Sequence, residues 1–408
     1  MVILLVAIVL LFVVGAMAVL AIDLVTFYTA RSEAQLAADG AALAGARVLA
    51  NSGMTSNPTV AIVANAENLA RTVATKVAAQ NKVGGRNLNA GEVNVGFQGS
   101  SVGAGAGSNP RVTVQVTRND LPTFFTRIWG RTQVTVTASA TAEAYNPSGL
   151  TSSGGPPIAP VCVKPWVLPN LDPRNGSAIF NTTTGDILDP TRALLGADPT
   201  VKFRARCEGG CDVPPPPAPP PTKWQYYAGD QSSFPAPTQS LPTCNGPPLN
   251  AYQKSIAGCV QTPISCNSTV NLDLSPHPNR DTETGQAVSC LTHSVNDKGD
   301  SIDTSGGPNP PFQFVAGDDN PVVAARGSNV LVSDSLVTVP VYDSSVALSG
   351  TVQVIGFVQL FLNPDGETEN SGHIETRVVN LVGCGTNATG QAVLGNGASA
   401  IPVRLVSP

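Results

Sequence analysis

Residues 2–50 read VILLVAIVLLFVVGAMAVLAIDLVTFYTARSEAQLAADGAALAGARVLA, and the reading of this stretch decides the fold. From Val2 to Ile22 every residue is apolar or small and none is charged. At about 1.5 Å per residue, a helix of that length crosses a hydrocarbon core of roughly 30 Å. The run exceeds the roughly 7 to 15 residue core of a secretion signal and lacks its basic flank, so residues 1–22 read as a transmembrane helix. A signal peptide removed after the Ala16-Met17-Ala18 pattern is the rival reading. Past Asp23 the stretch to Ala50 is rich in Ala and Leu, holds no Pro, and has Gly only at 40 and 45. Leu24, Phe27, Ala34, Ala38, Ala41, Leu43 and Val48 fall at helical spacing, and Arg31, Glu33, Gln35, Asp39 and Arg47 supply polar positions. One helix is therefore expected to run from the membrane into an exported domain, with Phe27 and Tyr28 where an interfacial aromatic belt sits. Ala37, Ala41 and Gly45, spaced by four, make a stripe that lets another backbone approach closely. Packing on the chain's own sheet is the favoured use of it over a partner helix.

Ile62, Ala66, Leu69, Val73 and Val77 predict a second helix from about Val60 to Asn81, stopped by Gly84-Gly85. Alternation at Val93, Val95 and Phe97, at Val112, Val114 and Val116, and at Val134, Val136 and Ala138 predicts three strands. A helical turn is expected over Pro122 to Trp129. The fold class is α+β: a transmembrane helix continuing into a pilin-like helix-over-antiparallel-sheet module, residues 23–145. Residues 146–157 are rich in Gly, Ser and Pro and read as a flexible linker. A mostly β, Cys-rich exported domain, 158–408, follows, with a polyproline spacer at 213–221. Val330 to Val382 carries its clearest strands and is read as mostly antiparallel, with a turn at Asn363-Pro364-Asp365-Gly366.

All eight cysteines, Cys162, Cys207, Cys211, Cys244, Cys259, Cys266, Cys290 and Cys384, lie in that domain, an even number that points to disulfides and an oxidising compartment. Their pairing is not legible from spacing. No Lys or Arg precedes the span, and Arg31 and Arg47 alone would favour the opposite topology, but long domains translocate largely regardless of charge. Cysteine placement sets the bulk of the chain outside.

Only 12% of the 408 residues are charged, the net charge is -5, and Lys and Arg are scattered, so no basic stripe exists for nucleic acid. HExxH, Walker and GxGxxG patterns are absent, and no catalytic residue or cofactor site is assigned. Cys207 with Cys211, and Cys290 with His293, lack the usual Cys-x2-Cys zinc spacing. His277, His293 and His373 are isolated and read as solvated. Asp297, Asp300 and Asp303, with Asp318 and Asp319, miss EF-hand spacing, so no metal is assigned. A small-molecule ligand is not readable.

Ala21-Ile22-Asp23-Leu24, Tyr28-Thr29-Ala30-Arg31-Ser32 and the run from Gln35 to Ala46 are family-like. So are Arg111 to Val114, Pro122-Thr123-Phe124-Phe125, Gly130 and Val134 to Ala142. Together they resemble the N-terminal module of TadG-like proteins of the tight-adherence (Tad, or Flp) pilus-assembly system. The chain departs from that pattern mainly over Ser32 to Leu36 and at Gly40, where the family has Ala. The resemblance implies a structural or accessory role in pilus assembly, not catalysis. It also implies a single-pass inner-membrane location with the bulk of the chain in the periplasm or at the cell surface, and other pilus-assembly or envelope proteins as partners. No acidic residue stands at the pilin-processing spacing, so processing as a pilin is not expected. Asp343-Ser344-Ser345 lacks the Asp-x-Ser-x-Ser spacing of an adhesion metal site. A membrane-tethered adhesin or binding module with a disulfide-stabilised domain is the alternative. A secreted hydrolase has no nucleophile, base and orienter to support it.

Overall fold

The computed structural model describes residues 2–99, 109–123, 130, 132–149, 155–192, 194–195, 201–205, 223–238, 241, 248–293, 299–303, 313–362, 374–386, 388–395 and 399–407. The expected long helix is unbroken as α1, Val2–Asn51. Its second half buries Ala30, Ala34, Ala37, Ala38, Ala41, Ala42 and Ala46, one small-residue face at helical spacing. Helix α2, Val60–Gln80, begins at Thr59, whose hydroxyl accepts the Ile62 N–H and caps the first turn. The helix buries Ile62, Val63, Ala66, Ala70, Ala74 and Ala78 and packs against α1.

A hairpin of β1, Lys82–Val83, and β2, Arg86–Asn87, turns at Gly84 and Gly85, both at positive φ. The Gly84 N–H donates to a Glu33 carboxylate oxygen at 2.6 Å, tying the hairpin to α1. Then β3, Val93–Gln98, β4, Arg111–Pro122, and β5, Gln133–Ala144, form an antiparallel sheet. Val112, Val114 and Val116 on β4 and Val136, Ala138, Ala140 and Ala142 on β5 alternate into the core beneath α1, as period-two patterning requires. Pro122 closes β4, and the helical turn expected beyond Thr123 lies outside the described residues.

The chain continues through β6, Ile158–Ala159, β7, Trp166–Pro169, the short α3, Asp189–Arg192, and β8, Val201–Ala205. Next come β9, Lys223–Ala228, α4, Ala251–Ala257, β10, Thr269–Asn271, and α5, Arg280–Leu291. After β11, Ser301–Asp303, β12, Gln313–Val315, and β13, Asn329–Val330, come the long strands β14, Leu336–Tyr342, β15, Thr351–Leu362, and β16, Ile374–Gly383. Two short strands, β17, Val393–Leu394, and β18, Val403–Ser407, end the chain. The order β15-β14-β7-β9-β8-β16 closes on itself because β16 also pairs with β15, making a six-stranded barrel with β10 beside β15. Closure removes the free edges that an open sheet of this length would expose.

The meander β14-β15-β16 is antiparallel, as the reading of Val330 to Val382 expected, and strands from distant parts of the chain insert into the ring, β7 parallel with β14 and β8 parallel with β9. The last strand leaves the second domain: β18 pairs antiparallel with β5, giving the first sheet the order β18-β5-β4-β3. The segment read as a flexible linker is held at its described parts. Asn146 and Ser148 are buried, and the Tyr145 hydroxyl donates to the Pro156 carbonyl at 2.6 Å. The polyproline stretch and the Asn363 to Gly366 turn lie outside the described residues.

A Cβ built on Gly45 would meet Val112 Cγ1 at 3.0 Å and the Ala74 Cβ at 3.4 Å, whereas one on Gly40 meets nothing within 4 Å. Gly45→Leu is therefore expected to cost about 1–3 kcal/mol by overpacking. Gly40→Ala should gain up to about 1 kcal/mol from helix propensity. Thermal unfolding of the detergent-solubilised chain, followed by circular dichroism, checks both signs.

Candidate membrane anchor and joint

The two halves of α1 meet different surroundings. Residues from Ile3 through Val14 are exposed, Leu11 by 78% and Phe12 by 76%, and the exposure of large apolar side chains persists at Leu20, Ile22 and Val25. Among the described residues this is the one helix long and apolar enough to cross a membrane. The hydroxyls of Thr26 and Thr29 donate to the carbonyls of Ile22 and Val25, each at 2.9 Å, so these polar groups are satisfied within the helix. Asp23, the first charge, is buried, and Tyr28 is exposed five residues later. From Ala30 the same helix sinks under the sheet, and the Gln35 amide donates to Asp39 Oδ1 at 2.8 Å and to the Ser139 carbonyl at 3.1 Å.

The end of α1 is held by the barrel. The Asn380 amide on β16 donates to the Ala50 carbonyl and to Gln359 Oε1, each at 2.6 Å, so a barrel side chain satisfies a carbonyl of the helix's last turn. Ser56 Oγ donates to the Leu381 carbonyl at 3.0 Å and accepts the Leu381 N–H at 2.9 Å. The Asn146 amide donates to the same Leu381 carbonyl at 3.1 Å and to the Thr55 carbonyl at 3.2 Å, and the Gly383 N–H donates to Ser148 Oγ. Arg192 on α3 donates to the Ser56 carbonyl at 2.7 Å. Asn51, Ser56, Asn146, Ser148, Gln359 and Asn380 are all buried, so this joint lies in low-dielectric surroundings where each bond counts for more.

Two clamps stiffen the other structural units. On the first module Arg86 bridges Glu92 at 2.5 Å and Asp120 at 2.7 Å, and Arg118 also reaches Asp120 at 2.9 Å. Hydrogen bonds from Arg86 and then Arg118 hold the Asp120 carboxyl down at about 2. In the barrel domain Lys164 is buried, and its ammonium donates to the carbonyls of Ile256 at 2.5 Å and Gly258 at 2.7 Å, capping the end of α4. Burial pushes that ammonium down to about 7.

Cys162 is bonded to Cys259 and Cys266 to Cys384, so the stretch from 259 to 266 is tied at both ends. Cys290 is disulfide-bonded as well, which takes its sulfur away from any zinc pairing with His293. Cys207, Cys211 and Cys244 lie outside the described residues, as do Asp297 and His373. His277 contacts Asp273 at 2.9 Å, and His293 contacts Asp334 at 3.1 Å, two separate places. Asp300 is buried and accepts from the Gly317 N–H, the Asn320 amide and the Ser333 hydroxyl, which makes it a structural carboxylate. Among the described residues no three His, Cys, Asp or Glu side chains converge on a metal position.

The residues of the joint and Lys164 escaped the sequence reading. Their signal was there: Asn380 interrupts the apolar run Val378-Val379-Asn380-Leu381-Val382, and Lys164 breaks Val161 to Val167. A polar residue inside a buried strand needs a partner.

An apolar helix that continues beneath an antiparallel sheet and ends hydrogen-bonded to a barrel defines an α+β protein. Residues 2–48 match the family model described as Putative Flp pilus-assembly TadE/G-like, and residues 32–142 match that described as Putative Tad-like Flp pilus-assembly. The chain thus carries the N-terminal module of TadG-like pilus-assembly proteins. No curated protein and no solved structure matches it significantly.

Ser56→Ala leaves the Leu381 N–H without its acceptor, at about 1–3 kcal/mol. Faster hydrogen exchange confined to the joint, at amides 381–383, is the expected outcome. For Lys164, the unfolded chain binds one proton more than the folded chain between about pH 7 and pH 10, so stability rises with pH in that window and is flat below it. Guanidinium midpoints at both ends of the window should show this rise in the native chain and none in Lys164→Met.

Proposed function

We propose that the chain is a membrane-anchored structural component of Flp pilus assembly, a single-pass protein of the bacterial inner membrane with its sheet module and barrel in the periplasm or at the surface. The observation that carries this reading is the division of α1: apolar over residues 3–22, with Leu11, Phe12, Met17, Leu20 and Ile22 among its exposed side chains, and buried under the sheet from Ala30 onward. Exposing that many large apolar side chains to water is costly, and a bilayer is the solvent that suits them. The exported orientation is supported by the disulfides, which persist in oxidising compartments.

The joint favours assembly over tethered adhesion. A barrel hydrogen-bonded to the end of the anchor helix moves with that helix, so the exposed surfaces are held at a fixed height and orientation for neighbouring pilus-assembly or envelope proteins. Scattered charge and the absence of a convergent set of reactive side chains among the described residues fit a scaffold role.

Protease treatment of intact spheroplasts, followed by mass analysis of the membrane-retained fragment, tests the reading. The expected result is a protected fragment containing residues 3–22, with barrel peptides released by digestion. A soluble chain beginning after Ala18 would sink the anchored reading.

A further inference from the structure

The C-terminal strand completes a sheet that begins more than 250 residues earlier in the chain. Arg404 lies directly opposite Glu143, and Leu405 opposite Ala142, with the register breaking before Ser407 opposite Thr141. The Arg404 guanidinium reaches the buried Glu143 carboxylate at 2.6 Å and lies over the Tyr145 ring, 4.9 Å from its centroid. Ala400 and Ile401 are fully buried in the core that α1 lines. Without β18, strand β5 would be an edge, with its outward N–H and C=O groups unpaired and an apolar socket open beside it.

The same strand is held by a short ladder and is partly exposed towards its end. Leu405 and Val406 are 43% and 37% exposed, and the ladder is short and interrupted. The leash from Gly385 to Ser399 contains Gly385, Gly390, Gly395 and Gly397, and its described residues are held by the two-residue pairing of β17 with β6 and by bonds of Gly385 to Asn267 and of Thr386 to Thr183. At roughly 3.3 Å per extended residue such a leash reaches about 50 Å, well beyond its own sheet.

We propose that the β5 edge is a strand-binding site filled by β18, and that its other occupant is the β18 strand of a second copy of this chain, giving a strand-exchanged assembly. The complementarity is guaranteed by identity, since each copy carries both the site and the strand that fits it. Exchange of an identical element conserves the Arg404–Glu143 pair and the Ile401 socket, so the net change is confined to the leash and to association. One copy can donate to a second while receiving from a third, and β5 and β18 of each copy then link it in a row.

The test places one cysteine in each of two full-length preparations, Glu143→Cys in one and Arg404→Cys in the other, mixes them in detergent, and oxidises. A cross-linked species of twice the chain mass is expected, lost when a synthetic peptide of residues 401–408 is added in excess. A chain carrying both changes should close within itself, reporting the register. Absence of the mixed cross-link while the double variant closes internally would overturn the proposal, as would an equal yield with Asp343→Cys in place of Glu143→Cys. Should the cysteine variants misfold, the native chain decides. Binding of the labelled 401–408 peptide with loss of concentration-dependent association supports exchange, and absence of binding overturns it.

Discussion

Between Ala30 and Ala50 one face of α1 is built from alanine and glycine, and everything else in the first module is arranged around what that face permits. Small side chains let the helix axis lie close to the valines of β4 and the alanines of β5 and α2. Gly45 is a point of close approach, with Val112 and Ala74 both at contact distance of a missing Cβ. Each alanine methyl contributes little hydrophobic energy, on the order of 0.8 kcal/mol per buried carbon group. The module's stability therefore rests on fit over many such contacts, and a single enlarged residue disturbs several of them at once.

That constraint also explains how the anchor and the barrel are joined. A helix that must be apolar all round in its first half and small-faced in its second has few polar positions to spare, so its last turn is satisfied by groups from elsewhere. Asn380 of β16 donates to the Ala50 carbonyl of that turn, and Ser56 and Asn146 bond to Leu381 beside it. The disulfides act at another level. A cross-link spanning 97 or 118 residues removes about 4–5 kcal/mol of unfolded-chain entropy in the loop-closure model, and both tie the stretch at 259–266 to distant chain. The barrel thus has closed edges, cross-linked connections and a hydrogen-bonded seat on the anchor helix.

Much of the first module was legible because its elements are strongly periodic. The 3.6 and 2.0 repeats place α1, α2, β3, β4 and β5 close to where they stand, and the stripe of Ala37, Ala41 and Gly45 packs on the chain's own sheet and helix. The barrel was legible only in its long strands β14, β15 and β16. Strands buried on both faces read as unbroken apolar runs, and four-residue strands such as β7 carry too little pattern to assign. Helices α4 and α5 are short and polar enough to pass for loops, since their buried faces include Tyr252, Gln253, Arg280 and Thr284. Pairings of long range, β18 with β5 and β7 with β14, leave no local trace at all.

The position of β18 changes what the boundary of the first module means. The family models end at residue 142, yet the sheet they describe is completed by residues 403–407, so in this chain the barrel is an insertion between two strands of one sheet. An insertion is attached at two points, and Leu381 accepts and donates at a third, next to the end of the anchor helix. Rotation about a single covalent tether is then unavailable to the barrel. The last of these attachments is a short strand, partly exposed at Leu405 and Val406. Local opening of the sheet is expected to begin there, because opening follows the elements with the fewest buried contacts.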